Sequence, residues 1–168
     1  MKEYVVVDLE TTGLDPYKGH EIIEIGVTEI INDKIARNYS RFIKPKRKIP
    51  EFIQNLTHIT NEMVENEKSI EEVLPNFRRY VGSRTVIAHN AKFDVKFLNY
   101  FLEKQGLERI ENYICTVEML KNTESYKGEN KKLGTACSYY NIVNKSAHRA
   151  DSDTLATAQL FLIIKEEQ

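Results

Sequence analysis

The chain has 168 residues, 41% of them hydrophobic and 29% charged, enough for one domain with a single core and unlike a disordered or fibrous polymer. Its formal net charge of −1 gives no global attraction to a polyanion, so a grip on nucleic acid must come from a local patch or from cations held by acids. The most apolar run, LATAQLFLII, is interrupted by Thr157 and Gln159 and falls far short of the ~20 residues of a membrane span, so no membrane partner is expected.

Residues 4–9 are β-branched and apolar, and the turn-forming DPYKG leads to a second strand pattern, EIIEIGVTEII. After the polar turn Asn32-Asp33-Lys34 a third follows, ARNYSRFIK, so an antiparallel meander of three strands is predicted. Past the basic, Pro-bounded loop KPKRKIP the pattern becomes helical. SIEEVLPNFRRYVG predicts a helix with Pro75 as a kink or break, TVIA a short buried strand, and AKFDVKFLNYFLEKQG an amphipathic helix stopped by Gly106. NYICT reads as a strand and VEMLKN as a helix; the end is helical from about Lys131 and again from Arg149 to Glu166. Strands first, then alternating helix and strand, predict an α/β domain with a mixed sheet, one domain over residues 1–168 without linker or repeat. The start lacks a basic and apolar export pattern, so Cys115 and Cys137 are expected as reduced thiols and the protein as cytoplasmic.

Aspartate is scarce, only six of the 25 acids, at 8, 15, 33, 94, 151 and 153. Asp15 and Asp33 sit in turns, where a short acid caps local backbone groups. On the first strand Tyr4, Val6, Asp8 and Glu10 share one face and Val5, Val7 and Leu9 the other. Two carboxylates ~7 Å apart at an effective dielectric near 20 repel by roughly 2 kcal/mol. Hydration at the strand end relieves that repulsion, and so does a bound cation.

Asp94 shares a helical stripe with Phe97, Leu98 and Phe101, an acid on the core-facing side, although a first-turn Asp is also favoured by the helix dipole. In AHRADSDT, His148 stands five residues before Asp153, and Asp151 and Asp153 again fall in a first turn. The spacing does not choose between these two acids. DSD is no EF-hand, lacking the loop Gly and closing Glu.

Three of these clusters occur in a telling order. D-x-E-T-T-G at Asp8 to Gly13, H-N-A-x-F-D at His89 to Asp94 and H-R-A-x-x-D at His148 to Asp153 resemble the motifs of the DEDDh (DnaQ-like) 3′–5′ exonucleases. The similarity is narrowest to the proofreading exonuclease domain of bacterial DNA polymerase III, in its epsilon-subunit and PolC forms. LTHIT at Leu56 to Thr60 looks like the family's LTGIT segment with His58 in place of Gly, and KKLGTACSYYNI resembles the helix before the third motif.

The resemblance implies a ribonuclease H-like fold with a five-stranded sheet, three antiparallel strands first and then parallel ones, flanked by helices. It implies Asp8, Glu10, Asp94 and Asp153, rather than Asp151, as ligands of two divalent cations, Mg²⁺ or Mn²⁺, and His148 as catalytic base. It places Thr11, Thr12, Leu14, Leu56 and His58 beside the terminal nucleotide. The implied substrate is nucleic acid with a free 3′ end, DNA ahead of RNA, cut to 5′-nucleoside monophosphates; the implied partner is a DNA polymerase subunit. Two alternatives share the pattern: an oligoribonuclease-like RNA exonuclease and a non-catalytic polymerase- or nucleic-acid-binding module. Lys44, Lys46, Arg47 and Lys48 are candidates for backbone phosphates, though a solvated turn explains them as well. Phe93, Phe97 and His89 read as structural. QLFLI faintly resembles a sliding-clamp peptide but reads as packed helix.

Overall fold

In the computed structural model, which describes residues 2–168, the first strand, β1 (Glu3–Thr11), lies at the centre of a five-stranded sheet. Its alternation explains the position: Val5, Val7 and Leu9 enter one core and Val6 another on the opposite face, so neither face can be left in water. β2 (Ile22–Ile31) and β3 (Lys34–Phe42) complete the expected antiparallel meander. β3 starts two residues before the predicted Ala36, because Asn32 and Asp33, both at positive φ, close the hairpin in two residues. β4 (Thr85–Ala88) pairs parallel with β1, and β5 (Tyr113–Cys115) parallel with β4. The order is β3-β2-β1-β4-β5.

Two short helices, α1 (Glu51–Thr57) and α2 (Asn61–Val64), bury Ile53 and Val64 with Ile23 and Ile49. α3 (Ile70–Val81) starts at a Ser69–Glu72 capping box and runs through Pro75 unbroken, so the predicted break is absent. Buried Leu74 and Phe77 hold the helix on the sheet from both sides of the proline. α3 and α4 (Ala91–Lys104) cover the face bearing Val5, Val7 and Leu9. α5 (Thr116–Lys121) and α6 (Leu133–Tyr139) precede α7 (Ala150–Glu166), whose Ala158 and Phe161 pack on Val6, Ile30 and Ile87 across the other face.

Leu160 and Phe161 are therefore buried inside a helix, unlike an extended clamp-binding peptide. Phe97 is fully buried, with Phe93 packed beside it. Cys115 and Cys137 are both free thiols. Among the described residues no helix is long and apolar enough to cross a membrane.

Candidate active site

β4 pairs with β1 only as far as Val6 and Ile87, and the β1–β2 register shifts between Glu10 and Thr11. The end of the central strand is thus splayed on both sides. Asp8 and Glu10 point from this opening onto the α7 face. Where β4 has left β1, the Leu9 N–H donates to Asp94 Oδ1 at 3.1 Å, which brings the first turn of α4 against the strand. Asp94 is buried, as its place in the apolar stripe predicts.

The fourth acid arrives on α7. Asp153 is buried, and its Oδ1 accepts from Asn144 Nδ2 at 2.8 Å and from the His148 N–H at 3.3 Å. Oxygens of Asp8, Glu10 and Asp153 all lie within 4.8 Å of one another, which separates Asp153 from Asp151. The approach of α7 depends on Gly26, the β2 partner of Asp8. A Cβ there would lie 2.3 Å from the Ala150 carbonyl oxygen. Gly26→Ala is therefore expected to destabilise the fold by about 1–3 kcal/mol through overpacking; an unchanged urea midpoint would show that the first turn of α7 is free to move.

Asp8 Oδ2 is buried and has no hydrogen-bond partner among the described residues. Together with an all-carboxylate donor set, that orphaned oxygen fits a hard divalent cation. Burial first, then the charges of Asp94, Asp153, Glu10 and Glu24, raise the Asp8 carboxyl well above the usual range. Burial, then Asp153 and Glu24, push Glu10 up to about 8 against the opposing pull of Arg149. Burial likewise raises Asp94, although hydrogen bonds from the Leu9 and Asp94 N–H groups oppose it.

These shifts carry a pH dependence. A carboxyl whose folded pKa is raised binds its proton more tightly folded than unfolded, so its contribution to stability is present below the unfolded pKa and lost as pH rises through the folded one. For Glu10 that window runs from about 4.5 to about 8. Cation-free protein should lose on the order of 10 °C in Tm between pH 5 and 8, and millimolar Mn²⁺ should remove the slope. Differential scanning fluorimetry reads both effects; a flat profile in EDTA would mean that these carboxyls titrate alike in the folded and unfolded chain.

Two further groups brace the site, and neither was singled out in the sequence. Glu24, the register partner of Glu10, is 2% exposed. It accepts from the Ala150 N–H at 3.0 Å and pairs with Arg149 at 3.2 Å. Arg149 also donates to the Thr57 carbonyl at 3.1 Å and lies over the Phe42 ring. One guanidinium thus ties the first turn of α7 to the end of α1. The only hint in the sequence is an acid inside the apolar run of β2. The second group is Asn144, which holds Asp153 from a loop that carries no motif.

His148 is exposed on the turn before α7, at φ 72°, and only its backbone N–H touches Asp153. His89 is structural, as expected: Nε2 donates to the Lys131 carbonyl and Nδ1 meets the Thr116 hydroxyl, both at 2.7 Å. Of the expected nucleotide contacts, Leu14 and Leu56 are 79% and 66% exposed. Phe52, one turn before Leu56 on α1, is likewise 69% exposed; a lone aromatic in a short helix gave no signal. Thr11 is buried and its hydroxyl donates to the Gly13 carbonyl, while the Thr12 hydroxyl accepts from Glu21 N–H, so both build the loop that presents Leu14. His58 caps α1 at φ 61°, a left-handed position where Gly is the common choice. In the basic loop Lys46 pairs with Glu71, and the N–H groups of Lys46 and Arg47 bind the Glu21 carboxylate, so local acids already partner part of it.

Comparison with known proteins places the chain in a family. The profile of the exonuclease family RNase_T matches residues 5–161. The PolC-type DNA polymerase III of Thermotoga petrophila is 41% identical over 160 residues, 95% of this chain and 12% of that protein. The 3′-5′ exonuclease DinG of Bacillus subtilis is 36% identical over 166 residues, 99% of this chain and 18% of that one. The chain thus spans between about an eighth and a fifth of the length of these relatives. Among solved structures, exonuclease X in complex with 5′ overhanging duplex DNA superposes with a TM-score of 0.77 at 26% identity, covering 97% of this chain and 91% of that one. The nuclease domain of 3′hExo, a DEDDh family member bound to rAMP, superposes at 0.83 with 19% identity, covering 98% and 92%. The fold is the ribonuclease H-like exonuclease fold.

Proposed function

The chain belongs to the RNase_T exonuclease family, and on that premise we propose that it hydrolyses a nucleic acid strand from its 3′ end, releasing 5′-nucleoside monophosphates. The observation that carries the reading is the convergence of Asp8, Glu10 and Asp153 oxygens beside buried Asp94, with Asp8 Oδ2 unpartnered. Residues 1–168 act in this reading as one exonuclease domain.

Asp8, Glu10, Asp94 and Asp153 would hold two divalent cations, Mg²⁺ or Mn²⁺, whose charge balances the four carboxylates. Such ions, when bound, acidify a water molecule and stabilise negative charge on phosphate oxygens. His148 accepts the proton of the attacking water, an ordinary task for a neutral imidazole. Its exposure lets that proton leave to solvent, and its N–H contact with Asp153 fixes the turn relative to the carboxylates. Leu14 and Leu56 pack on the terminal bases, His58 closes the pocket, and Thr11 and Thr12 hold the loop in shape.

DNA is the favoured substrate because the PolC-type relatives are DNA polymerases. The same likeness supports a proofreading or repair role, a polymerase subunit as partner and a cytoplasmic location. The test is a pair of 5′-labelled oligomers of matched sequence, one DNA and one RNA, incubated with Mn²⁺. Faster shortening of the DNA from its 3′ end is expected. Faster shortening of the RNA would favour an RNA-trimming enzyme, and two intact oligomers a non-catalytic module.

A further inference from the structure

Beyond the carboxylates, the outer face of α4 carries a second set of chemistry. Lys92, Lys96, Tyr100 and Lys104 follow at four-residue intervals, a stripe of ~18 Å along the helix. It begins two residues before Asp94. Lys92 lies in the first turn, where the helix dipole disfavours a cation, so the helix itself gives no reason for it. Tyr17, 69% exposed, stands against the stripe, edge-on to Tyr100 at 4.9 Å and beneath the Lys96 ammonium at 5.9 Å. Tyr17, Lys92, Lys96 and Tyr100, with Tyr113 and Arg109, wall an open groove of about 250 Å³, and Lys104 lies beyond it. Glu103, the acid that lines the groove, pairs with Arg109, and Asp15 outside it pairs with Lys96. Lys92 and Lys104 form no ion pair among the described residues.

Cations alternating with exposed aromatic faces are the chemistry of single-strand binding, ammonium groups on phosphates and rings on bases. In a chain of net charge −1, Lys92 is the groove cation with no ion pair among the described residues, and Lys96 and Arg109, paired to Asp15 and Glu103, stand close enough to exchange those acids for phosphates. We propose that the groove between Tyr17 and α4 is the track for the strand upstream of its 3′ end, holding a base against Tyr17 and the flanking phosphates on Lys92 and Lys96. The inference rests on the exonuclease reading, because that reading supplies a strand whose end lies beside Asp94.

The test is fluorescence anisotropy of a labelled 15-nucleotide single strand in EDTA, across a range of salt. In EDTA the carboxyls hold no cation to draw the strand's 3′ end, so binding reports the groove. Lys92→Gln with Lys96→Gln is expected to weaken binding about tenfold and to reduce the salt slope by about 1.4, two phosphates at ~0.7 each. Tyr17→Ala is expected to cost about tenfold with the slope unchanged, and Tyr17→Phe to restore affinity. Wild-type affinity and slope in the lysine variant and in Tyr17→Ala would overturn the proposal. Hydrolysis of a three-nucleotide strand with Mn²⁺ reports separately on the carboxylates: its absence in the wild type would remove the exonuclease reading and leave the binding result standing.

Discussion

Asp8→Asn is expected to give a protein that is inactive and, without cations, more stable than the wild type. The two effects have one cause. The Asp8 carboxylate sits at the meeting point of Glu10, Asp94 and Asp153 with one oxygen buried and unpartnered, an arrangement unfavourable without a counter-charge. Replacing it by an isosteric amide removes the cost of charging or protonating a buried carboxyl there and supplies an N–H₂ donor to its neighbours. In EDTA at pH 8 the Tm should rise by several degrees, and the stabilisation by Mn²⁺ should vanish. Charge stabilisation worth several kcal/mol in the transition state is lost with the cations, so hydrolysis should fall by about 10³-fold or more. An inactive variant with lowered stability in EDTA would instead make Asp8 an ordinary structural residue.

His148→Asn should separate the proton acceptor from the cation site. Asn is the proper replacement because position 148 has φ 72°, a backbone region that Asn tolerates and Ala does not. His148→Ala would confound lost chemistry with backbone strain. Losing a general base is expected to reduce kcat by roughly 10²–10⁴-fold, with Mn²⁺ affinity retained because no imidazole nitrogen is needed to hold the ion. The His148 N–H bond to Asp153 Oδ1 survives the substitution, since it is made by the backbone. Loss of Mn²⁺ binding in this variant would make His148 a ligand.

Much of the site was legible in the sequence, for reasons that differ by residue. Asp8 and Glu10 announced themselves through period-two alternation, and Asp94 through its place in an apolar helical stripe; both are local patterns. Asp153 could not be told from Asp151 by spacing, because the rotation of α7 is set by its packing: Gly26 admits its first turn, while the Asp151 carbonyl accepts from Asn38 at 2.8 Å on β3. Only family resemblance selected Asp153, the acid whose oxygens lie near those of Asp8 and Glu10. Glu24 gives no signal because an acid in a strand reads as solvent-facing until the strand pairing places it opposite Glu10. Asn144 and the end of α1 reach the site by tertiary contacts alone. Pro75 went the other way, a strong local signal for a break that buried neighbours override.

The most direct test of the central claim is calorimetric titration of the purified chain with Mn²⁺ at pH 7, in two buffers of different ionisation enthalpy. Because Asp8, Glu10 and Asp94 hold their protons above the usual carboxylate range, cation binding must displace protons. The account predicts two bound equivalents, proton release that differs in heat between the buffers, and loss of both in Asp8→Asn. A folded wild-type chain that takes up no Mn²⁺, or binds it unchanged in Asp8→Asn, would contradict it.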